Sequence, residues 1–153
     1  MRKLWAAALA VLSTLTFLTL ASPPASAFGS EVLGCSVDSA TWTANSCSGQ
    51  GVYHHVSVIH YVPHNLSGTY TKSWLIAYGS YTVTGACGTG AYPCISSGCT
   101  ASSTTCDVQY MTAGGADRVI TAVLSLTQSG QTRSYLANAT IYGDDPWGGC
   151  RTC

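Results

Sequence analysis

Eight cysteines restrict the fold of this chain more than any other feature of its sequence. They occupy positions Cys35, Cys47, Cys87, Cys94, Cys99, Cys106, Cys150 and Cys153. All of them follow an N-terminal segment with the composition of an export signal. An even number of cysteines in an exported chain predicts a disulfide framework, in this case of up to four bridges.

Residues 1–27 have the order of a secretory signal peptide. Residues 1–3 carry two basic side chains, residues 4–20 are mainly apolar, and residues 25–27 are the small residues typical of a cleavage site. A membrane anchor is the alternative, but hydroxyl side chains interrupt the apolar stretch, which falls short of the ~20 residues of a spanning helix. We therefore predict one secreted domain over residues 28–153, with no membrane association after cleavage.

Charge is scarce, which excludes one class of partner. Only 8% of the residues are charged, against roughly 25% in ordinary globular domains. After residue 27 four basic residues stand against six acidic ones, so no basic field is available for a phosphate backbone and no nucleic acid partner is expected. The chain instead contains 19 Ser and 19 Thr, which predict an uncharged, hydroxyl-rich surface.

The spacing of the cysteines favours local bridges. Cys35 with Cys47 would close an N-terminal excursion. Cys87, Cys94, Cys99 and Cys106 are spaced by 7, 5 and 7 residues, which allows two consecutive loops or one loop nested in another. A bridge that closes about a dozen residues contributes ~3 kcal/mol in the chain-entropy model.

The segment of residues 86–106 is the most heavily crosslinked part of the chain. It is rich in Gly, Ser and Thr and has only Tyr92 and Ile95 as large apolar residues. We expect a stapled surface loop. It is either a binding element, whose ordering entropy is spent during folding, or a crossover held down for stability.

Cys150 and Cys153 form a C-x-x-C motif. Redox-active pairs lower the pKa of the attacking thiol by placing it at a helix N-terminus. The sequence ends at Cys153 and leaves no residues for such a helix. A structural pair is therefore expected, with neither redox activity nor zinc binding.

Alternation with a period of two, in segments rich in β-branched and aromatic residues, predicts an all-β chain. The predicted strands lie near residues 32–37, 40–44, 50–62, 69–78, 80–84, 107–111, 118–127 and 132–142. Hairpin turns are predicted at residues 63–68 and 128–131. About seven to eight short antiparallel strands, each with one apolar face, favour a single disulfide-stapled β-sandwich, with a small closed barrel as the alternative.

The titratable residues do not indicate a catalytic or metal site. The four histidines are His54, His55, His60 and His64. On an extended strand His54 and His60 would lie about 20 Å apart, too far for one ion. The sequence has no G-x-S-x-G motif, and the one close carboxyl pair, Asp144 and Asp145, is formed by chain neighbours. We expect no catalytic residue, no metal and no cofactor.

Aromatic residues supply the best functional clue. Tyr70, Trp74 and Tyr78 recur at intervals of four and therefore share one face of a strand with Lys72 and Ile76. Exposed rings surrounded by hydroxyl groups suit a neutral polysaccharide or cell-wall component, whereas the alternative is ordinary inter-sheet core. We predict a non-catalytic, secreted binding protein with Tyr70, Trp74, Tyr78 and Tyr92 as ligand-binding residues.

Two other functions stay open at this point. One is a protein-directed effector, either an inhibitor of an extracellular hydrolase or a small toxin, that acts through residues 86–106. The other is an enzyme that uses the histidines of residues 54–64. The expected partner is therefore an extracellular glycan or an extracellular protein.

Overall fold

The computed structural model describes residues 28–52, 55–79, 81–111 and 115–143, which form an all-β fold. The strands within these ranges are β1 (Val32–Val37), β2 (Thr43–Ala44), β3 (Ser46–Gln50), β4 (Ser57–His64), β5 (Thr71–Ala77), β6 (Cys94–Ser97), β7 (Cys106–Met111), β8 (Arg118–Gln128) and β9 (Gln131–Tyr142). In this part of the chain no helix has the length and apolarity to cross a membrane. The predicted signal peptide, Cys150 and Cys153 lie outside the described ranges.

The strands are divided between two sheets. The five-stranded sheet has the order β2-β1-β4-β7-β6, and the four-stranded sheet has the order β3-β9-β8-β5. Every pairing of these strands is antiparallel except that of β3 with β9, which is parallel. The parallel pair departs from the predicted antiparallel arrangement, because side-chain alternation determines the faces of a strand and not the direction of its neighbour.

One apolar core lies between the two sheets. The buried side chains of the four-stranded sheet are Ile120, Ala122, Leu124, Leu126, Ala137, Ala139 and Ile141, and those opposite include Leu33, Ile59, Tyr61 and Val108. The Tyr61 hydroxyl donates a hydrogen bond of 2.7 Å to the Ile120 carbonyl and so links the sheets. Burial raises the pKa of Tyr61. The packing is that of a β-sandwich-like fold.

The two predicted hairpin turns had different outcomes. The turn between β8 and β9 is confirmed, and its central residues Ser129 and Gly130 have φ of 51° and 77°, as a type I′ hairpin requires. The hairpin predicted at residues 63–68 is wrong, because β4 and β5 belong to different sheets and this segment crosses between them. Local turn residues indicate a change of direction but not which sheet the next strand joins.

Strand positions differ from the prediction in several places. The strand predicted over residues 50–62 begins only at Ser57, and Gln50 belongs to β3 of the other sheet. Of the strand predicted over residues 40–44, only the last two residues form β2. Residues 81–84 of the predicted strand 80–84 are not in a strand, and only Gly85 makes an isolated bridge to Cys94. Strands β3 and β6 were not predicted, because their Ser, Gly and Cys residues have low β propensity. Pairing with β9 and β7 makes these two segments strands.

Three disulfides crosslink the described residues: Cys35–Cys47, Cys87–Cys94 and Cys99–Cys106. The middle four cysteines therefore form two consecutive loops and not a nested pair. Cys35 lies in β1 and Cys47 in β3, so their bridge joins the two sheets. Three intramolecular disulfides indicate an oxidising, extracellular environment.

The segment of residues 86–106 is more deeply integrated than a surface loop. It contains β6, which pairs with β7 at the edge of the five-stranded sheet. Cys94 and Cys106 are fully buried. The expectation of a surface loop thus holds for the turns between the cysteines and is wrong for β6. The reason is that β6 forms by hydrogen bonding to β7, a partner that the sequence of the segment does not show.

Gly49 of β3 allows close contact between the sheets. A Cβ atom added there would lie 2.7 Å from Val37 Cβ. We expect Gly49→Ala to lower the free energy of unfolding by about 1.5 kcal/mol, because overpacking forces a shift of the backbone or of Val37. Urea unfolding measures this. Gly98→Ala is the control, since its Cβ would meet only the Asp107 carbonyl at 3.6 Å; equal losses in both variants would contradict the prediction.

Candidate functional site

The face of β5 that carries the predicted aromatic residues turns towards the core. Tyr70, immediately before β5, is buried, while Trp74 and Tyr78 are partly buried and pack against the core cluster. Trp74 Nε1 donates a hydrogen bond of 3.3 Å to the Ser103 carbonyl. The three rings do share one face, and their packing favours the interpretation as inter-sheet core over that of an open stacking surface.

Tyr92 and Tyr61 do not extend this group of rings. Tyr92 is half-buried and precedes β6, at the edge of the five-stranded sheet, whereas β5 is at the edge of the other sheet. Its backbone N–H donates to Thr84 Oγ1 at 2.9 Å. Tyr61 lies in β4, the strand that the predicted hairpin at residues 63–68 would have paired with β5, and points into the core. Because β4 and β5 lie in different sheets, Tyr61 and the rings of β5 are not on neighbouring strands, as the predicted hairpin would have placed them.

A buried carboxylate explains why Tyr70 points inwards. Glu31 is only 6% exposed and accepts hydrogen bonds from the Tyr70 hydroxyl at 2.9 Å and the Tyr135 hydroxyl at 3.1 Å. The backbone N–H of Gly29 contributes most to lowering the pKa of Glu31 to about 2, and its own N–H and the two tyrosines contribute further, against the effect of burial. This group ties the start of the domain to both β5 and β9.

An open cleft of about 560 Å³ lies on the outer face of the five-stranded sheet. We call it the Trp42 cleft. Its polar lining consists of Ser36, Asp38, Ser39, His60, Thr105 and Asp107. The apolar part of the lining includes Trp42 and Val62. The cleft forms over three adjacent strands, because β1, β4 and β7 direct alternate side chains away from the core.

Trp42 is the exposed ring of this cleft. One edge of its indole lies over Gly34, where a Cβ would be 3.1 Å from Cζ3. One ring face stacks on the imidazole of His64, with centroids 3.5 Å apart and planes at 17°. The side chain is nevertheless 41% exposed. Trp42 therefore lines the cleft with part of its surface open to solvent, while His64 covers one face of the ring.

His60 and Asp107 form the hydrogen-bonding centre of the cleft. They are cross-strand partners on β4 and β7, and His60 Nδ1 lies 2.9 Å from Asp107 Oδ1. Both side chains are exposed to solvent. Nearby, Asp38 Oδ1 accepts a hydrogen bond of 2.7 Å from the Val58 N–H, which holds the turn after β1 against β4.

Ser36, His60 and Asp107 lie in one row across three strands, since Ser36 is the register partner of His60. Hydrolases use these residue types together when the hydroxyl donates to the imidazole. The buried Ser36 hydroxyl instead donates to the Ser39 carbonyl at 2.7 Å. Its proton is thus directed away from His60, and the row is a hydrogen-bonding surface in this geometry.

The histidines do not assemble into a metal site in the described ranges. No group of three or more His, Cys, Asp or Glu side chains with a suitable geometry occurs in this part of the chain. His60 and His64 lie on the outer face of β4, where each is engaged by a different neighbour. His54 lies outside the described ranges.

Sequence reasoning missed Trp42. A signal was present: between Cys35 and Cys47 it is the largest side chain in a run of mainly small polar residues. A disulfide-closed excursion of this composition has little core in which to bury an indole. The neighbours of Trp42 could not be predicted from the sequence, because Gly34 and His64 come into contact with it only after the strands of the sheet have paired.

The site is defined by geometry alone, since no family model, no curated protein and no solved structure matches the chain. The Trp42 cleft combines an exposed aromatic ring with hydroxyl groups and an exposed imidazole–carboxylate pair. An aromatic ring can contact apolar C–H faces, and hydroxyl, imidazole and carboxylate groups can exchange hydrogen bonds with hydroxyl groups.

Proposed function

We propose that this protein is a secreted, non-catalytic binding protein that recognises a neutral glycan in the Trp42 cleft. The observation that carries the proposal is the exposed indole of Trp42, which lies beside polar groups and packs against Gly34 and His64. The kind of ligand is the one predicted from the sequence. The proposed site differs from the predicted one, because it lies on the five-stranded sheet and not at the partly buried rings of β5.

Stacking on Trp42 would supply the apolar part of recognition. The C–H face of a sugar ring covers an aromatic face and removes its area from water, which favours binding. Because His64 already covers the other face of the indole, the ring needs no rearrangement on binding. A ring held in position loses little side-chain entropy when the ligand arrives.

The polar lining would supply orientation. A sugar hydroxyl both donates and accepts, and the exposed pair of His60 and Asp107 offers both functions at adjacent positions. Ser39 and Thr105 add uncharged donors and acceptors at the rim. Hydrogen bonds to a carboxylate are stronger than those between neutral groups, so Asp107 favours a fixed ligand orientation.

The charges around the cleft restrict the ligand to uncharged glycans. Two carboxylates, Asp38 and Asp107, line it, and within the described part of the chain neither Lys nor Arg is among its lining residues. Phosphorylated, sulfated or uronic-acid ligands would meet like charges in the cleft. A neutral glycan avoids this repulsion.

Trp42→Ala is expected to weaken binding at least about tenfold, equivalent to ~1.4 kcal/mol, because the stacking face is lost. Affinity gel electrophoresis in gels containing dissolved laminarin, galactomannan or hydroxyethylcellulose measures the change in mobility. Trp42→Phe should keep most of the retardation, since a smaller ring still stacks. Exposure of Trp42 means that its truncation leaves the core intact.

Two further variants separate the cleft from general effects. Gly34→Ala keeps Trp42 but displaces its indole, so it should weaken binding in the same direction. Val52→Ala shortens an exposed apolar side chain outside the cleft lining and should bind like the unchanged protein. The proposal fails if the unchanged protein is not retarded by any of the three glycans, or if Trp42→Ala is retarded equally.

The protein-directed alternative depends on a different feature. Residues 87–90 form an exposed turn that the Cys87–Cys94 bridge anchors to β6. Gly88 and Gly90 have φ of 86° and 83°, which suits glycine and preorganises the turn. This surface would insert into a protein partner such as an extracellular hydrolase. Inhibition of secreted glycosidases or proteases that is lost in Thr89→Lys would favour it over the glycan proposal.

A further inference from the structure

The outer face of the four-stranded sheet is a second surface with an unusual composition. Since Ile120, Ala122 and Leu124 point into the core, the alternate residues of β8 and their cross-strand partners point outwards. We call this surface the neutral face. Its members are Ser46, Ser48, Thr71, Ser73, Leu75, Ala77, Val119, Thr121, Val123, Ser125, Thr127, Thr132, Ser134, Leu136, Asn138 and Thr140.

None of these side chains is charged, although the described ranges contain seven charged residues. Three of the seven, Lys72, Arg118 and Arg133, are on strands of the same sheet. Each is paired in register with an inward-pointing residue, either Leu126 or Ile141, and therefore leaves the sheet on the other side. The remaining four lie outside the strands of this sheet. The sheet thus carries charged side chains, but all of them leave it on the inner side, and the neutral face has none.

Two neighbouring rows of the neutral face consist of hydroxyl side chains only. Thr71, Thr127 and Thr132 form one cross-strand row, and Ser73, Ser125 and Ser134 form the next. Within each row one pair of hydroxyl groups is hydrogen-bonded across the strands at 2.8 Å, Ser125 with Ser134 and Thr127 with Thr132. Each paired hydroxyl group still has a lone pair or a proton for a hydrogen bond to a ligand. Because pairing already holds the side chains in place, they lose little conformational freedom when a ligand binds.

An apolar row runs beside the hydroxyl rows. Leu75, Val123 and Leu136 are register partners on three strands. Leu75 is 63% exposed and Leu136 is 50% exposed. Large apolar side chains at the centre of an uncharged face indicate a binding surface, because their exposure has no benefit for folding.

We propose that the neutral face binds the surface of a crystalline, uncharged polysaccharide. A charged partner would lose its hydration against this face without gaining an opposite charge. Crystalline polysaccharide instead presents apolar ring faces and hydroxyl rows, and the neutral face has an apolar row beside two hydroxyl rows. Four strands and five rows cover on the order of 14 Å by 27 Å, which suits an extended surface better than a single sugar. This site is separate from the Trp42 cleft and does not depend on it.

Depletion isotherms on microcrystalline cellulose and on α-chitin test the proposal with the whole mature protein. Leu136→Lys places a charge at the centre of the neutral face and is expected to weaken adsorption at least about tenfold. Gln131→Lys adds the same charge to the same strand, at an exposed position whose side chain belongs to the other face, and should adsorb like the unchanged protein.

Each other outcome overturns the proposal. Absence of adsorption to both polymers, or equal adsorption of Leu136→Lys, removes the surface as a polysaccharide site. Loss of adsorption in Trp42→Ala assigns it to the cleft. A dimer in light scattering that Leu136→Lys dissociates assigns the neutral face to a second copy of the chain. Retardation of Leu136→Lys by dissolved glycan shows separately whether the Trp42 cleft still functions, and circular dichroism verifies the fold.

Discussion

Replacement of both Cys35 and Cys47 by alanine is expected to lower the free energy of unfolding by about 3 kcal/mol. The bridge closes a segment of 12 residues and connects β1 of one sheet with β3 of the other. Without it the unfolded chain gains conformational freedom, and β3 is held by its parallel pairing with β9 and by the packing of Gly49 against Val37. Urea unfolding of the double variant, which leaves no odd thiol, measures the loss.

The same variant should weaken glycan binding, because the bridge closes the excursion that carries Trp42. Removing Cys87 and Cys94 together is the matched control. That bridge spans 7 residues and should contribute about 2.5 kcal/mol in the same chain-entropy model, with no effect on the Trp42 cleft. The prediction is wrong if the Cys35/Cys47 variant unfolds at the same urea concentration as the unchanged protein.

Glu31→Ala is expected to lower the free energy of unfolding by about 3 kcal/mol at neutral pH, since hydrogen bonds to a charged group are worth about 1.5–3 kcal/mol each. The carboxylate accepts from the hydroxyls of Tyr70 and Tyr135. Its removal leaves the Tyr135 hydroxyl without this acceptor and leaves the Tyr70 hydroxyl with a neutral one, the Ser67 carbonyl at 2.7 Å. The variant also releases the start of the domain from β9, so it should be cleaved faster by a protease near residue 31.

The pH dependence of stability follows from the lowered pKa of Glu31. In the folded protein this pKa is about 2, against an ordinary value of 4.5. The ionised form is favoured by folding, so its contribution is complete above about pH 4.5 and is lost as the pH falls towards 2. Glu31→Gln should therefore be less stable than the unchanged protein at pH 7 and should lack this part of the acid-induced loss.

Asp107→Asn is the control for that measurement, because it removes an exposed carboxylate and leaves Glu31 in place. Its stability should fall between pH 4.5 and pH 2 as that of the unchanged protein does. If Glu31→Gln loses as much stability over this interval as the unchanged protein, the carboxylate has no such role. Thermal unfolding monitored at half-unit pH steps gives the comparison.

The elements best predicted from the sequence are those whose signals are local. The strand of residues 118–127 alternates strictly, and Ser129 with Gly130 supplies the two residues that a tight hairpin needs. The bridge between Cys35 and Cys47 was predicted because nearby cysteines pair when the chain between them can turn. In each case the residues that decide the outcome are close in the sequence.

The elements predicted poorly depend on partners far away in the chain. β6 is a strand because β7 lies beside it, and β3 because β9 does. Residues 63–68 cross between the sheets because β5 pairs with β8, which belongs to the four-stranded sheet. The aromatic face of β5 was identified correctly as one face, but the sequence did not show that this face is the packing face.

The candidate site shows the same division. The sequence indicated an uncharged, hydroxyl-rich exterior, which the neutral face has, whereas the Trp42 cleft combines hydroxyl groups with the carboxylates of Asp38 and Asp107. It did not indicate Trp42, whose position depends on Gly34 below it and His64 beside it. Nor did it indicate that Leu75, Val123 and Leu136 meet in one row, because three separate strands must first pair in register.

By itself, the sequence determined that this chain is all-β, rich in disulfides and nearly free of charge. Only the tertiary structure decided which face of each strand is buried, which sheet each strand joins and which ring reaches the solvent. The physical reason is that alternation and turn chemistry act between neighbouring residues, whereas register and sheet membership are chosen by the burial of apolar area across the whole domain.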